Sequence, residues 1–281
     1  MLSYRHAFHA GNFADVLKHT ALVHCLEYLV QKDNPLRYID THAGIGSYRL
    51  DAFEPNKTQE YQQGVALLWQ RQGLPAGLAR WQHWVQAFNG GNSLSAYPGS
   101  PWFAQQILRP HDRLELCELH PKDIELLRRQ MAGDKRIACH FESGYTQALA
   151  LVPPIERRGL ILIDPSYEVK TEYAQVVAEV KSLHRRFATG VYLIWYPVIE
   201  ARFVEQLVRG LKNSGIKRIS QIEWGLGPGF NEGKGMNATG LLAINAPFTL
   251  MPCLEESLNY ALPIFAPGGE GYVKLETLAG E

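Results

Sequence analysis

The sequence predicts a doubly wound α/β fold, and three observations carry the prediction. Apolar runs such as RGLILID (158–164) and TGVYLIWYP (189–197) read as strands buried on both faces, as in a parallel sheet. Helical stretches alternate with those runs. Two final runs, KRISQIEWG (217–225) and TGLLAINAP (239–247), follow one another without a helix between them.

Taken in order, residues 12–32 place apolar side chains at Val16, Leu17, Ala21, Val23, Leu26, Leu29 and Val30, which predicts a long helix with one buried face. Residues 34–48 read as turn, short strand and glycine-rich loop. Residues 54–93 contain Trp69, Trp81 and Trp84 at helical spacing with no strand pattern, and are expected to form a helical insertion. YPGSPWFAQQIL (97–108) opens a helix with Ser100 as N-cap and Pro101 at the first helical position. Strands at 113–118 and 136–141 flank the helix PKDIELLRRQM. A helix at 170–186 follows strand 158–164, and a helix at 201–215, closed by Gly215 at C′, follows strand 189–197. The loop LGPGFNEGKGMNA before the last strand is glycine-rich and expected to be mobile. The prediction is seven strands in one domain spanning residues 1–281, with 54–93 inserted in it.

Composition narrows the function. The 28 basic and 28 acidic residues cancel, which is not the footprint of a protein that binds nucleic acid by bulk phosphate neutralisation. Local basic stretches remain at IERRG (155–159), RRFATG (185–190) and the N-terminal YRHAFHAGN. No apolar run approaches the roughly 18 residues of a membrane span, and the N-terminus lacks an apolar signal core, so a cytoplasmic protein is expected. The four cysteines are scattered without a CxxC pair, which argues against zinc and disulfides. The N-terminal histidines lack a completing ligand set, so no metal is expected.

The chemistry-bearing residues fall at strand ends. DTHAGIG (40–46) follows the first strand, and its Gly44 and Gly46 permit a tight turn with close ligand approach. It is neither a P-loop nor GxGxxG. Ligands of such sheets collect at the carboxyl ends of strands, where Asp40 and Glu118 lie, and a carboxylate at the second strand's tip suits the two hydroxyls of a ribose. The insertion explains why Glu118 is so far from the glycines. Ser100, at a helix start, would offer an anion seat.

Strand four ends in Asp164-Pro165-Ser166-Tyr167. Methylation of an amino group explains such a corner. The N6 lone pair of adenine is delocalised into the ring. A carboxylate accepting one N6–H and a backbone carbonyl accepting the other favour a pyramidal, nucleophilic nitrogen. Asp164 and the Pro165 carbonyl have those capacities, and Tyr167 would stack on an extruded base. An ordinary proline-stopped strand is the plain alternative.

These stretches resemble S-adenosylmethionine-dependent amino-methyltransferases, whose motif is Asp/Asn-Pro-Pro-Tyr/Phe, and which carry a Rossmann-like sheet. More narrowly, MLSYRHAFHAGNFADVLKHT, DTHAGIGSY, YPGSP, ELHP, RRGLILIDPSYE and RFATGVYLIWYPV resemble the bacterial 23S ribosomal RNA adenine-N6 methyltransferase family over most of the chain. The resemblance implies that His19, His42, Ser100, Glu118 and Gly144 line the donor site and that Asp164 is the catalytic acid-base residue. It further implies that Tyr4, on a tail with Arg5, His6 and His9, contacts RNA and orders on binding it, and that Lys18 lies close to the site on the RNA side. The expected partner is 23S rRNA, protein-free or an early precursor; the oligomeric state is open.

Two departures stand out. Ser166 replaces a second proline, and Ser143-Gly144 replaces Asp-Gly, removing the carboxylate that would accept from the donor's adenine amino group. Ser143 or the neighbouring Glu142 would have to substitute. The competing readings are a DNA adenine-N6 methyltransferase, and a non-catalytic nucleic-acid-binding protein linked to use of external DNA.

Overall fold

The computed structural model describes residues 5–91, 93–230 and 235–280. Tyr4 and residues 231–234 of the glycine-rich loop lie outside them, so the expectations placed there are not addressed by the structure.

Among the described residues, the main sheet has eight strands: β1 Arg37–Asp40, β4 Arg113–Cys117, β5 Ile137–His140, β6 Gly159–Ile163, β7 Val191–Pro197, β8 Ile219–Gly225, β9 Ala238–Ile244 and β10 Tyr272–Ala279. Their order is β10-β8-β9-β7-β6-β1-β4-β5. Strands β5, β4, β1, β6 and β7 are mutually parallel, while β9 inserts antiparallel between β7 and β8. The doubly wound expectation holds. The strand count was one short because β10, an exposed edge strand reading YVKLETLA, carries none of the continuous apolar character of a central strand.

The connections explain where the site falls. The chain winds from β1 outward to β4 and β5, then returns to β6 on the other side of β1. Right-handed crossovers therefore place the helices between those strands on opposite faces. The carboxyl ends of β1 and β6 meet at the switch point: Asp40 pairs in register with Leu162, two residues before Asp164.

Helices α4 (Ser100–Ile107) and α5 (Pro121–Gln130) follow β1 and β4, and α6 (Gly144–Leu151), α7 (Glu172–Arg186) and α8 (Ala201–Lys212) follow β5, β6 and β7. The 54–93 segment forms α2 (Phe53–Thr58), two short 3-10 turns and α3 (Ala76–Phe88), and a small antiparallel pair, β2 (Ser47–Arg49) with β3 (Ala96–Pro98), closes its base. A last helix, α9 (Leu250–Phe265), precedes β10.

Helix α1 (Phe13–Leu29) corrects one expectation. Every residue from Phe13 to Leu26 is buried, not one face alone. The helix packs against α3, α4, α9 and β9, so the insertion and the C-terminal helix cover the side that a two-layer domain would leave wet. Its polar residues, among them Asp15, Lys18 and His19, are thereby forced into the interior. Two helix ends also shift. Gly99, not Ser100, is the N-cap of α4, and α8 stops at Lys212 with Asn213 as its cap. No helix among the described residues is long and apolar enough to cross a membrane, and the four cysteines are free.

Candidate active site

Two cavities meet at the Asp164 corner. The first, of about 290 Å³, lies over the ends of β1, β4 and β5. Its wall includes His19, His42, Gly44, Ser100 and Glu118, and continues through Ser143, Gly144 and Asp164. All eight residues expected at a donor site are thus brought together. The volume lies near the lower end of the range for small-molecule sites, about 300–1,000 Å³.

The glycine loop and the second strand are tied to each other. Gly44 N–H donates to Glu118 Oε2 at 2.9 Å, and His120 N–H donates to Glu118 Oε1 at 2.7 Å. Each carboxylate oxygen keeps a further lone pair, so the fixed group can still receive a vicinal diol. Gly44 has φ +60°, which favours glycine, and a Cβ there would also have to displace the Tyr48 hydroxyl. Gly144 meets a similar limit: its Cβ would fall 1.9 Å from the Thr41 carbonyl oxygen.

Ser100 does not work as an anion seat through a cap. Its hydroxyl donates to Asp40 Oδ2 at 2.6 Å, beside Tyr38 Oη–H at 2.7 Å, while His42 N–H donates to Asp40 Oδ1 at 3.2 Å. Burial pushes the Asp40 carboxyl up to about 6, the Ser100 and Tyr38 hydrogen bonds oppose that rise, and nearby Asp164 adds to it. The Ser100 oxygen, its proton spent on Asp40, is left as an acceptor.

The two histidines are neutral near pH 7 and differ in what they offer. Burial lowers His19 to about 3, although Asp15 opposes the change, and burial lowers His42 to about 4 against the pull of Asp164. Thr41 Oγ1–H donates to the Leu162 carbonyl, so it accepts from His42 Nδ1–H at 2.7 Å and leaves Nε2 as an acceptor. The Tyr97 hydroxyl accepts from Trp81 and donates to His19 Nδ1 at 2.8 Å, which leaves His19 Nε2–H as a donor.

The second cavity, of about 480 Å³, shares His6, Lys18, Asp164 and Ser166 with the first. Phe13, Tyr167, Trp195 and Phe230 give it aromatic walls, and Glu60 and Gln63 bring the insertion to its edge. Lys18 stands in the shared wall, with its Nζ 2.6 Å from Asp164 Oδ2 and 2.9 Å from Asp15 Oδ1. Burial opposes its charge, but the two carboxylates outweigh burial and hold the ammonium above its usual range. Lys18 is 3% exposed and stands close to the corner, as the resemblance implies, in contact with the Asp164 carboxylate and in the wall of the second cavity.

The N-terminal HAGNFADVLKH block has a local cause. Asn12 caps α1 by accepting from Asp15 N–H, while Asp15 accepts from Gly11 N–H and meets His6 Nε2 at 3.1 Å. Of the corner residues, Pro165 is buried and lines neither cavity. Tyr167 is not a free stacking platform: its hydroxyl donates to the Trp195 carbonyl at 2.8 Å, and its ring lies 4.4 Å from that of Tyr173. Its φ of +53° costs about 1–2 kcal/mol relative to the right-handed region, and these contacts offset the cost.

Glu142 is exposed and lies outside the cavity wall, so it does not substitute for the missing acid at 143. Sequence reasoning missed Thr41, Tyr145, Glu172 and Gln175, all of which line the first cavity. The basic stretches at 155–159 and 185–190 lie at the opposite edge, since β6 starts at Gly159 and α7 ends at Arg186. Arg158 and Arg186 spend donors on the carbonyls of Leu29 and Leu149.

The geometry agrees with what the chain is similar to. Two curated proteins named ribosomal RNA large subunit methyltransferase J, from Escherichia coli and Haemophilus influenzae, are each 43% identical to it across the full length of both chains. The crystal structure of protein LPL1258 from Legionella pneumophila superposes with a TM-score of 0.89 at 39% identity, covering 96% of this chain and 98% of that one. A family model described as ribosomal RNA large subunit methyltransferase D, RlmJ, matches residues 33–278, and the chain belongs to that family.

Proposed function

We propose that this protein transfers a methyl group from S-adenosylmethionine to the N6 amino group of an adenine in 23S ribosomal RNA, acting in the cytoplasm on protein-free or early precursor RNA. The observation that supports the reading best is the junction of the two cavities at Asp164, one with ribose-fixing and cation-accepting groups and the other aromatic and base-sized. The donor fits the residues present: Glu118 can take its ribose, Ser100 Oγ its ammonium, and His19 Nε2–H its carboxylate. When bound, S-adenosylmethionine supplies an electrophilic methyl group on a sulfonium.

The chain's own residues do the rest. Lys18 engages Asp164 Oδ2, so a substrate N6–H meets Oδ1, and the fixed carboxylate orients the nitrogen lone pair. Phe13, Trp195 and Phe230 hold the flat face of the base and exclude water. After transfer, Asp164 receives the proton that the methylated nitrogen must shed. Pro165 contributes the rigid backbone of the corner. Tyr4 and the tail contact the surrounding RNA.

The test is labelled methyl transfer to protein-free 23S rRNA and to duplex DNA, followed by nucleoside digestion. N6-methyladenosine from the RNA alone is expected. Equal or exclusive methylation of DNA would overturn the RNA assignment, and no transfer to either would return the non-catalytic reading.

A further inference from the structure

The basic stretches have no part in the proposed site, yet the fold gathers them. Strands β8, β7, β6, β1, β4 and β5 all begin at the sheet edge opposite Asp164, and β9 ends there. Backbone contacts stitch this amino edge together. Asn245 N–H donates to the Arg218 carbonyl, and its side chain donates to the Ala188 and Gly190 carbonyls. Farther along, Arg37 N–H donates to the Arg158 carbonyl, Arg113 N–H to that of Leu36 and Leu114 N–H to that of Arg136. Arg113, Lys135, Arg157, Arg185, Arg186 and Lys217 stand exposed along the edge, with no carboxylate in ion-pair range among the described residues. The acids of the same connections are taken by other arginines: Asp112 by Arg109, Asp134 by Arg136 and Glu156 by Arg37, which leaves Asp33 against six cations. Arg185 and Arg186 fall in the last turn of α7, where the helix dipole favours a cation. The other four lie outside any helix and have no such local cause.

We propose that the amino edge is a second RNA-binding surface, which holds the phosphodiester backbone of the same substrate at a distance from its target adenine. The proposal rests on the rRNA reading of the site. A zero net charge conceals a separation of sign. Asp40, Glu118, Glu142 and Asp164 stand at or just past strand ends on the carboxyl edge, while the six unpaired cations stand on the amino edge. A polyanion is therefore drawn to the face away from the acids. The row crosses six inter-strand steps from β8 to β5, about 29 Å at the usual strand spacing. That is the length of about eight successive phosphates along one strand of a duplex. Four of the six cations are arginines, whose planar forks suit phosphate oxygens. Asp164 lies five residues beyond Gly159, about 17 Å along an extended strand, so only an RNA that continues well past the target adenine reaches both ends of the sheet.

The test is filter binding of the wild type and of the triple variant Arg113→Glu, Arg157→Glu, Lys217→Glu across a salt series. The probes are protein-free 23S rRNA and the shortest fragment of it that the wild type methylates. The variant is expected to bind S-adenosylhomocysteine as the wild type does and to keep its kcat. On 23S rRNA its slope of log affinity against log salt is expected to be shallower by about 2–3, the sum of three lost phosphate contacts. On the fragment its affinity is expected to match the wild type. Arg113→Gln, Arg157→Gln, Lys217→Gln gives the same reading if charge reversal impairs folding. An unchanged slope on 23S rRNA, or an equal loss on the fragment, overturns the inference and leaves the site reading intact. Wild-type binding to phosphatidylserine vesicles that the variant loses, with rRNA binding unchanged, would assign the edge to a membrane and overturn it too. A wild type that methylates no RNA overturns the site reading and this one with it.

Discussion

Lys18 Nζ lies 2.6 Å from Asp164 Oδ2 and joins it to Asp15, so the carboxylate at the junction of the two cavities is held by a lysine 146 positions away in the chain. The lysine comes from a helix buried on all sides and the aspartate from the turn just after a central strand. That link makes the position of the Asp164 carboxylate depend on a buried ionic triad.

The triad carries a stability prediction. Lys18→Met removes the ammonium from Asp15, whose side chain is 1% exposed and keeps only His6 and the Gly11 N–H as partners, at a cost of up to about 3–5 kcal/mol. Adding Asp15→Asn to the same chain should recover most of the loss. Chemical denaturation of the single and double variants measures it, and strictly additive losses would contradict the coupling.

Asp40 carries a pH prediction. Burial raises its carboxyl from 3.8 to about 6. Across that window the folded protein keeps a proton that the unfolded chain has released. Its contribution to stability is therefore present below the unfolded value and is lost as pH rises through the folded one. Asp40→Asn removes this loss, so the variant should gain stability relative to the wild type between about pH 4 and pH 7. Melting temperatures at the two pH values decide it, and parallel profiles would refute the assignment.

Gly144 carries a packing prediction. A Cβ would press on the backbone carbonyl of Thr41, which cannot swing aside. Gly144→Ala should cost about 1–3 kcal/mol and weaken S-adenosylhomocysteine binding by displacing the start of α6 from the glycine loop. Unchanged stability and affinity would show that the contact yields freely.

Much of this was legible in the chain. Continuous apolar runs marked the central strands, and the acids and glycines at their ends marked the first cavity, because strand ends converge wherever a parallel sheet winds both ways. What stayed hidden depends on partners distant in sequence. Nothing local says that Asp40 would take a hydroxyl from Ser100, 60 residues on, or that Lys18 would be buried against Asp164, 146 residues on. Helix α9 was not anticipated: Leu250, Leu254, Leu258, Ala261 and Phe265 recur at helical spacing, but Pro263 inside LMPCLEESLNYALPIF reads as a break. Tyr145 and Glu172 read as routine first-turn residues until the fold sets them around one cavity.

The central claim is that Asp164 acts on the amino group of the base. Its most direct test is methyl transfer to protein-free 23S rRNA by the wild type and Asp164→Ala, with S-adenosylhomocysteine binding measured on both. The account predicts that the variant loses about 10²–10⁴ in rate, the usual contribution of a positioned acid-base group, and still binds the cofactor product. A variant that binds and methylates at the wild-type rate would contradict it.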